Sequence, residues 1–103
     1  MDARNVGVGI AIEQAAGRGT PCHVAKIMPD SSAYKHGNIF IGDVISTIDG
    51  QSVTALTLSE VRERIAGVEG SLVILGVVRT RRDIFGPAGP QFIDIQLRRQ
   101  ALP

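Results

Sequence analysis

The chain has 103 residues, with 11 basic against 10 acidic side chains, a net charge of +1, 44% hydrophobic residues and 4% aromatic. That is one domain's length, enough to bury roughly two-thirds of the unfolded surface without a metal or disulfide staple. The charge is too balanced for a general electrostatic nucleic-acid binder, and three Phe and one Tyr, with no Trp, offer no stacking platform for single strands. A single cysteine excludes an internal disulfide and any multi-thiolate zinc site. His23 and His36 are too few and too distant to read as a metal centre. No apolar run approaches the ~20 residues of a membrane span, and Met1-Asp2-Ala3-Arg4-Asn5 lacks the apolar core of a signal peptide. These features predict a soluble globular domain with no cofactor. A cytoplasmic setting, within a larger protein, is the most compatible one.

Twelve glycines spread along the chain fit many short elements joined by tight turns. Val8, Ile10 and Ile12 alternate with Gly9, Ala11 and Glu13, the period of a half-buried strand. Ala15 to Pro21 breaks it, and a second strand runs over Cys22 to Met28 until Pro29-Asp30. Ser31 to His36 reads as a helical turn, capped by Asp30 or Ser31, carrying His36 in its last turn and closed by Gly37. Ile39-Phe40-Ile41 is a brief strand, Gly42-Asp43 a turn, and Val44 to Ile48 a strand. Asp49-Gly50 is a type I′ hairpin signal, because both central residues need positive φ; Gln51 to Val53 is the returning arm.

Thr57-Leu58-Ser59-Glu60 has the form of a capping box. Leu58, Val61, Ile65 and Val68 then make one apolar helical stripe, ended by Gly67 or Gly70. The nearly continuous apolar run Leu72 to Val78 predicts a central strand. A loop follows over 80–91, punctuated by Gly86-Pro87 and Gly89-Pro90, and the last strand covers 92–98 with Ile93, Ile95 and Leu97 on one face. Cys22 and His23 are neighbours on a strand and point to opposite faces, so they make no nucleophile pair. No serine has a visible base and orienter, and the chain does not read as an enzyme. Arg79, Arg81, Arg82, Arg98 and Arg99 read as a solvated hairpin surface, with anionic lipid headgroups or an acidic partner the alternative.

Over roughly Gly7 to Arg79 this order of elements resembles a PDZ domain. Gly7-Val8-Gly9-Ile10 is similar to the family's opening Gly-hydrophobic-Gly-hydrophobic loop. Alone it would read as an ordinary bulged turn, and it lacks the third glycine and helix of a dinucleotide fingerprint. Lys26-Ile27-Met28-Pro29-Asp30-Ser31-Ser32-Ala33 to Gly37 resembles the family's next segment. Ile41-Gly42-Asp43-Val44-Ile45, with Ile48-Asp49-Gly50, resembles its most diagnostic stretch. Only six residues precede the loop, and an extra strand follows the Gly-Pro segment. That departure resembles the PDZ domains of bacterial-type processing proteases, where a C-terminal strand replaces the first one. Arg64 to Ser71 and Leu97-Arg98-Arg99 are similar to that subgroup too.

The resemblance implies an α+β, mainly β, PDZ-like fold over residues 1–103. It would be a partly open antiparallel barrel or sandwich of five to six strands with one short and one longer helix, its core at 7–79. It implies capture of a partner protein's C-terminal tail, whose carboxylate needs donors that backbone N–H groups in a Gly-containing turn supply. The loop would be Gly7, Val8, Gly9 and Ile10, with the N–H groups of Val8, Gly9 and Ile10 as donors. The tail would add as a strand beside Ile10, Ala11, Ile12 and Glu13, facing the helix of Leu58, Val61, Arg62 and Ile65. Val8, Ile10, Ile12, Val61 and Ile65 would line an aliphatic pocket for the last ligand residue, with Val61 serving core and pocket alike. Leu58 stands where Ser/Thr-selecting relatives carry His, which implies a hydrophobic preference at the third-last ligand position. Arg62 would favour an acidic residue upstream, or be solvated. A substrate-recognition or regulatory domain of a larger serine protease is the alternative. A structural domain with an empty or self-filled groove is a third reading, and the open edge at Ile10 to Glu13 also suits a weak homodimer.

Overall fold

The computed structural model describes residues 5–80 and 89–102. In chain order its elements are β1 (Asn5–Val6), β2 (Ile10–Gln14), β3 (Cys22–Ile27), α1 (Ser32–His36) and β4 (Val44–Ile48). There follow β5 (Gln51–Ser52), α2 (Leu58–Ile65), β6 (Gly67–Val68), β7 (Leu72–Thr80) and β8 (Pro90–Arg98). The main sheet is antiparallel in the order β2-β3-β4-β7-β8, with β5 hairpinned onto β4; β1 and β6 form a separate pair. β2 and β8 are the free edges of that path, so among the described residues the sheet stays open and no barrel closes. The described strands number eight, more than the five to six expected, because β1, β5 and β6 are two-residue pairings that carry no periodic signal. Among the described residues no helix is long and apolar enough to cross a membrane.

Local chemistry accounts for several boundaries. Ser31 caps α1 by accepting from the Tyr34 N–H, and Gly37 ends it at φ 79°. Asp49 at φ 52° and Gly50 at φ 80° make the expected tight turn, and the Asp49 carboxylate accepts from the Ile74 N–H at 2.8 Å. The capping box is complete: Glu60 N–H donates to Thr57 Oγ1 at 3.3 Å, and Thr57 N–H to Glu60 Oε1 at 3.1 Å.

The structure corrects several expectations. Ile39-Phe40-Ile41 is not a strand; Asp43 folds it into a turn by accepting from Phe40 N–H at 2.9 Å and donating its own N–H to the Phe40 carbonyl at 3.1 Å. α2 ends at Ile65 without a left-handed glycine, since Ala66 is extended at φ −72° and ψ 152°. Val68 therefore leaves the helical stripe for β6 and is half exposed. The apolar run of β7 is a central strand as expected, between β4 and β8, although its two faces are not equally buried. Val73, Leu75 and Val77 are buried, while Leu72 and Ile74 are exposed on the other side. The expected loop at 80–91 is narrower, because Thr80 belongs to β7 and Pro90 to β8; residues 81–88, with Arg81 and Arg82, lie outside the described residues.

β8 pairs with β7 along its whole length, from Leu72 opposite Arg98 to Thr80 opposite Pro90. Ile95 and Leu97 enter the same core as Val24, Val61, Val73 and Leu75. Arg79 is not a solvated charge: it donates through Nε and Nη2 to the buried Asp43 carboxylate at 2.8 and 2.7 Å and stacks over the Phe40 ring. Desolvation of Asp43 is thus offset by a two-point, charge-assisted contact.

Candidate functional site

β2 is an edge strand. Its inner side pairs with β3, and α2 packs alongside it, leaving a groove between them. The turn entering β2 is held in an unusual way, with three successive carbonyls each occupied. Gly7 C=O accepts from Gln100 N–H at 3.0 Å, Val8 C=O from Ala33 N–H at 3.0 Å, and Gly9 C=O from Met28 N–H at 2.8 Å. A trans peptide is planar, so fixing each carbonyl aims the next residue's N–H in the opposite direction. Those are the N–H groups of Val8, Gly9 and Ile10. Among the described residues nothing accepts from Val8 or Gly9 N–H, and strand alternation turns Ile10's toward the open edge. The three N–H groups are thus aimed away from the residues that hold the carbonyls.

Gly9 is required there twice over. Its φ is 88°, and a Cβ at this position would overlap Ser31 Cβ and Oγ. Ser31 itself is buried, as the cap of α1 demands. Gly7 has neither constraint: its φ is ordinary and no atom stands within 4 Å of its imagined Cβ.

Beside the turn lies a cavity of about 190 Å³ lined by Gly7, Ile10, Ile12, Arg62, Ile65 and Ala66. Val8, expected in its wall, is not among the lining residues and is in the core at 1% exposure; Val61 takes the core half of its expected double role, at 0%. The left-handed Gly9 interrupts the period of two and sends the Val8 side chain inward. On α2 each residue turns by about 100°, so Arg62 and Ile65 reach the cavity while Val61 faces the sheet. Ala11 is half-buried opposite Lys26 of β3, and Glu13 is exposed with its carboxylate 3.7 Å from His23 Nε2. Leu58 is half-buried and packs on the core at the far end of α2.

The width of the groove depends on residues that periodicity does not reveal. Gln14, at the end of β2, accepts from Leu58 N–H at 3.1 Å and donates to the Leu56 and Thr20 carbonyls, each at 3.0 Å. Arg18 bonds the Ala55 carbonyl at 3.2 Å and pairs with Glu60 at 2.9 Å. At the other end the Arg99 guanidinium donates to the carbonyls of Ile65 and Arg64 at 2.8 and 3.3 Å. These three polar residues tie α2 to the rest of the fold, and the sequence marks each only as an ordinary surface residue.

A second, mainly apolar cavity of about 210 Å³ lies at Pro21, Cys22, Val44, Val53 and Val78. It shares no residue with the groove. Burial pushes the Cys22 thiol above its ordinary pKa, and His23 lies on the opposite strand face beside Glu13, so the two do not pair.

The sequence model of the PDZ domain matches residues 1–77. "PDZ and LIM domain protein 1" of Bos taurus is 33% identical over 67 residues, 65% of this chain and 20% of that protein. Its Homo sapiens counterpart is 34% identical over the same length and share, so the chain spans about a fifth of these curated relatives. Among solved structures, the PDZ domain of the carboxy-terminal protease from Vibrio cholerae, in complex with peptide, superposes with a TM-score of 0.76 at 18% identity. That match covers 94% of this chain and 96% of the other. The photosystem II D1 C-terminal processing protease gives a TM-score of 0.73 at 28% identity, over 96% of this chain and 24% of that one. With the family match over three-quarters of its length and the edge strand and flanking helix in place, this chain belongs to the PDZ domain family, a family of peptide-binding modules.

Proposed function

We propose that residues 1–103 form one domain that captures the C-terminal tail of a partner protein by strand addition to β2. The observation that carries this reading is the row of three anchored carbonyls, which leaves the N–H groups of Val8, Gly9 and Ile10 presented together. A terminal carboxylate has two oxygens that need such donors, and charge-assisted bonds of this kind are roughly twice as strong as neutral ones. The last ligand side chain enters the cavity of Ile10, Ile12 and Ile65, which suits Val, Leu, Ile or Phe. Leu58 offers no hydrogen bond to a Ser or Thr hydroxyl at the third-last position, and burying that hydroxyl unpaired costs about 1–3 kcal/mol. A hydrophobic residue is favoured there.

The test is a titration of fluorescent peptides ending in Val, each as free acid and as amide. Micromolar affinity, about −8 kcal/mol, for the acid and a residual affinity roughly a hundredfold weaker for the amide, about 2.7 kcal/mol less, are the expected result. Binding indifferent to amidation overturns carboxylate capture. In the same assay Leu58→His should raise the preference for Ser or Thr two residues before the end. A second reading, a substrate-presenting domain of a larger processing protease, is favoured by the 28% identity to the D1 C-terminal processing protease, of which the match covers 24%. The groove would then take substrate tails.

A further inference from the structure

We propose that Arg99 and Gln100, the residues by which the chain leaves β8, are positioning residues of the groove, so that tail capture and the path of the chain beyond β8 are coupled. The proposal rests on the carboxylate-capture reading. Two adjacent residues hold opposite walls of one site. The Gln100 N–H occupies the Gly7 carbonyl at 3.0 Å and thereby aims the Val8 N–H, the first donor of the turn. The Arg99 guanidinium occupies the last carbonyls of α2, those of Arg64 and Ile65, together with the Leu72 carbonyl and Ser71 Oγ at 3.1 Å each.

This arrangement replaces the glycine that normally closes a helix. The final carbonyls of α2 have no partner within the helix, and a cation is favoured at that end of the helix dipole. Gly67 leaves room for it, since a Cβ there would stand 2.7 Å from Arg99 Nε. Ile65, whose carbonyl the clasp holds, lines the ligand cavity together with Ala66 and Gly7. The Arg99 backbone is pinned as well, donating to Ser71 C=O and accepting from Gly70 N–H, both at 2.7 Å. A ligand that orders the turn therefore orders residues 99–100, and reciprocally a displacement of that segment weakens the ligand.

The experiment uses the 103-residue chain and a fluorescent peptide ending in Val, as acid and as amide. Gln100→Pro removes the N–H. It should lower affinity for the acid by roughly tenfold, the loss expected for one misaimed donor to a charged acceptor, while the amide is affected little. A merely structural role would weaken both forms alike. Arg99→Ala should weaken both forms in equal proportion and speed hydrogen exchange in the last turn of α2 while leaving exchange of the buried Val73 and Leu75 amides unchanged, whereas a merely structural role would speed exchange throughout. In the unmodified chain, saturating acid peptide should slow exchange of the Gln100 amide, a readout that survives any variant that fails to fold. A folded Gln100→Pro chain with the unaltered acid-to-amide ratio, or a Gln100 amide indifferent to peptide, overturns the coupling. An unmodified chain that does not prefer the acid overturns carboxylate capture itself, and the coupling with it.

Discussion

Gly9 and Gly7 look alike in the motif and differ in what they do. Gly9 sits at φ 88° against Ser31, a conformation that L side chains adopt at a cost of about 1–3 kcal/mol even without an overlap. Gly9→Ala should therefore destabilise the fold by more than that strain alone and abolish acid-peptide binding, read by urea denaturation and titration. Gly7→Ala, at ordinary φ with open space, should leave stability unchanged or raise it by up to ~1 kcal/mol. Equal losses from the two substitutions would contradict this account of the turn. The motif flags both glycines. Only Ser31, 22 residues away in sequence, shows which one the fold requires.

At the scale of an element, α2 was the most legible part of the chain, because its start is written in four consecutive residues. The Glu60 carboxyl is held below the usual carboxylate range, first by the Thr57 N–H, then by the Thr57 hydroxyl, with Arg18 adding to it. A depressed pKa in the folded state contributes stability that is present above the unfolded value, roughly 4.3, and is lost as pH falls through the folded one. Thermal midpoints followed from neutral to acid pH should thus decline less in Glu60→Gln than in the unmodified chain. Thr57→Ala removes the cap itself and should cost about 1 kcal/mol at neutral pH. The other end of α2 was not legible. Its partner is Arg99, 34 residues beyond Ile65, and no helical period reports a contact of that range.

For the molecule as a whole, β8 decides more than its position suggests. The family match ends at residue 77, yet Ile95 and Leu97 are each 1% exposed within the shared core. β8 also covers one side of β7 and delivers Arg99 and Gln100 to the groove. A chain ending at Thr80 should fail to fold, giving no cooperative thermal transition. In the full chain Ile95→Ala should cost about 2–5 kcal/mol, as a buried aliphatic truncation does. A stable, peptide-binding fragment ending at Thr80 would show that β8 is an accessory strand.

The sequence by itself determined the features that neighbouring residues settle among themselves. The Asp49-Gly50 turn, the Thr57–Glu60 cap, the Gly37 end of α1, with Asp30 or Ser31 at its start, and the one-sided strand at 92–98 are each written within a few residues, and their order pointed to the PDZ family. Tertiary structure alone decided which side chains line the groove and what holds it open. Val8 and Val61 went to the core because Gly9 breaks the strand's alternation and α2 turns that face to the sheet. The donors of the turn are aimed by Met28, Ala33 and Gln100, and α2 is held by Gln14, Arg18 and Arg99. Local periodicity records a residue's preference for one face of its own element. The partner of a backbone carbonyl is chosen only when distant segments pack, so Gly7 and Gln100, near opposite ends of the chain, gave no sign of each other in the sequence.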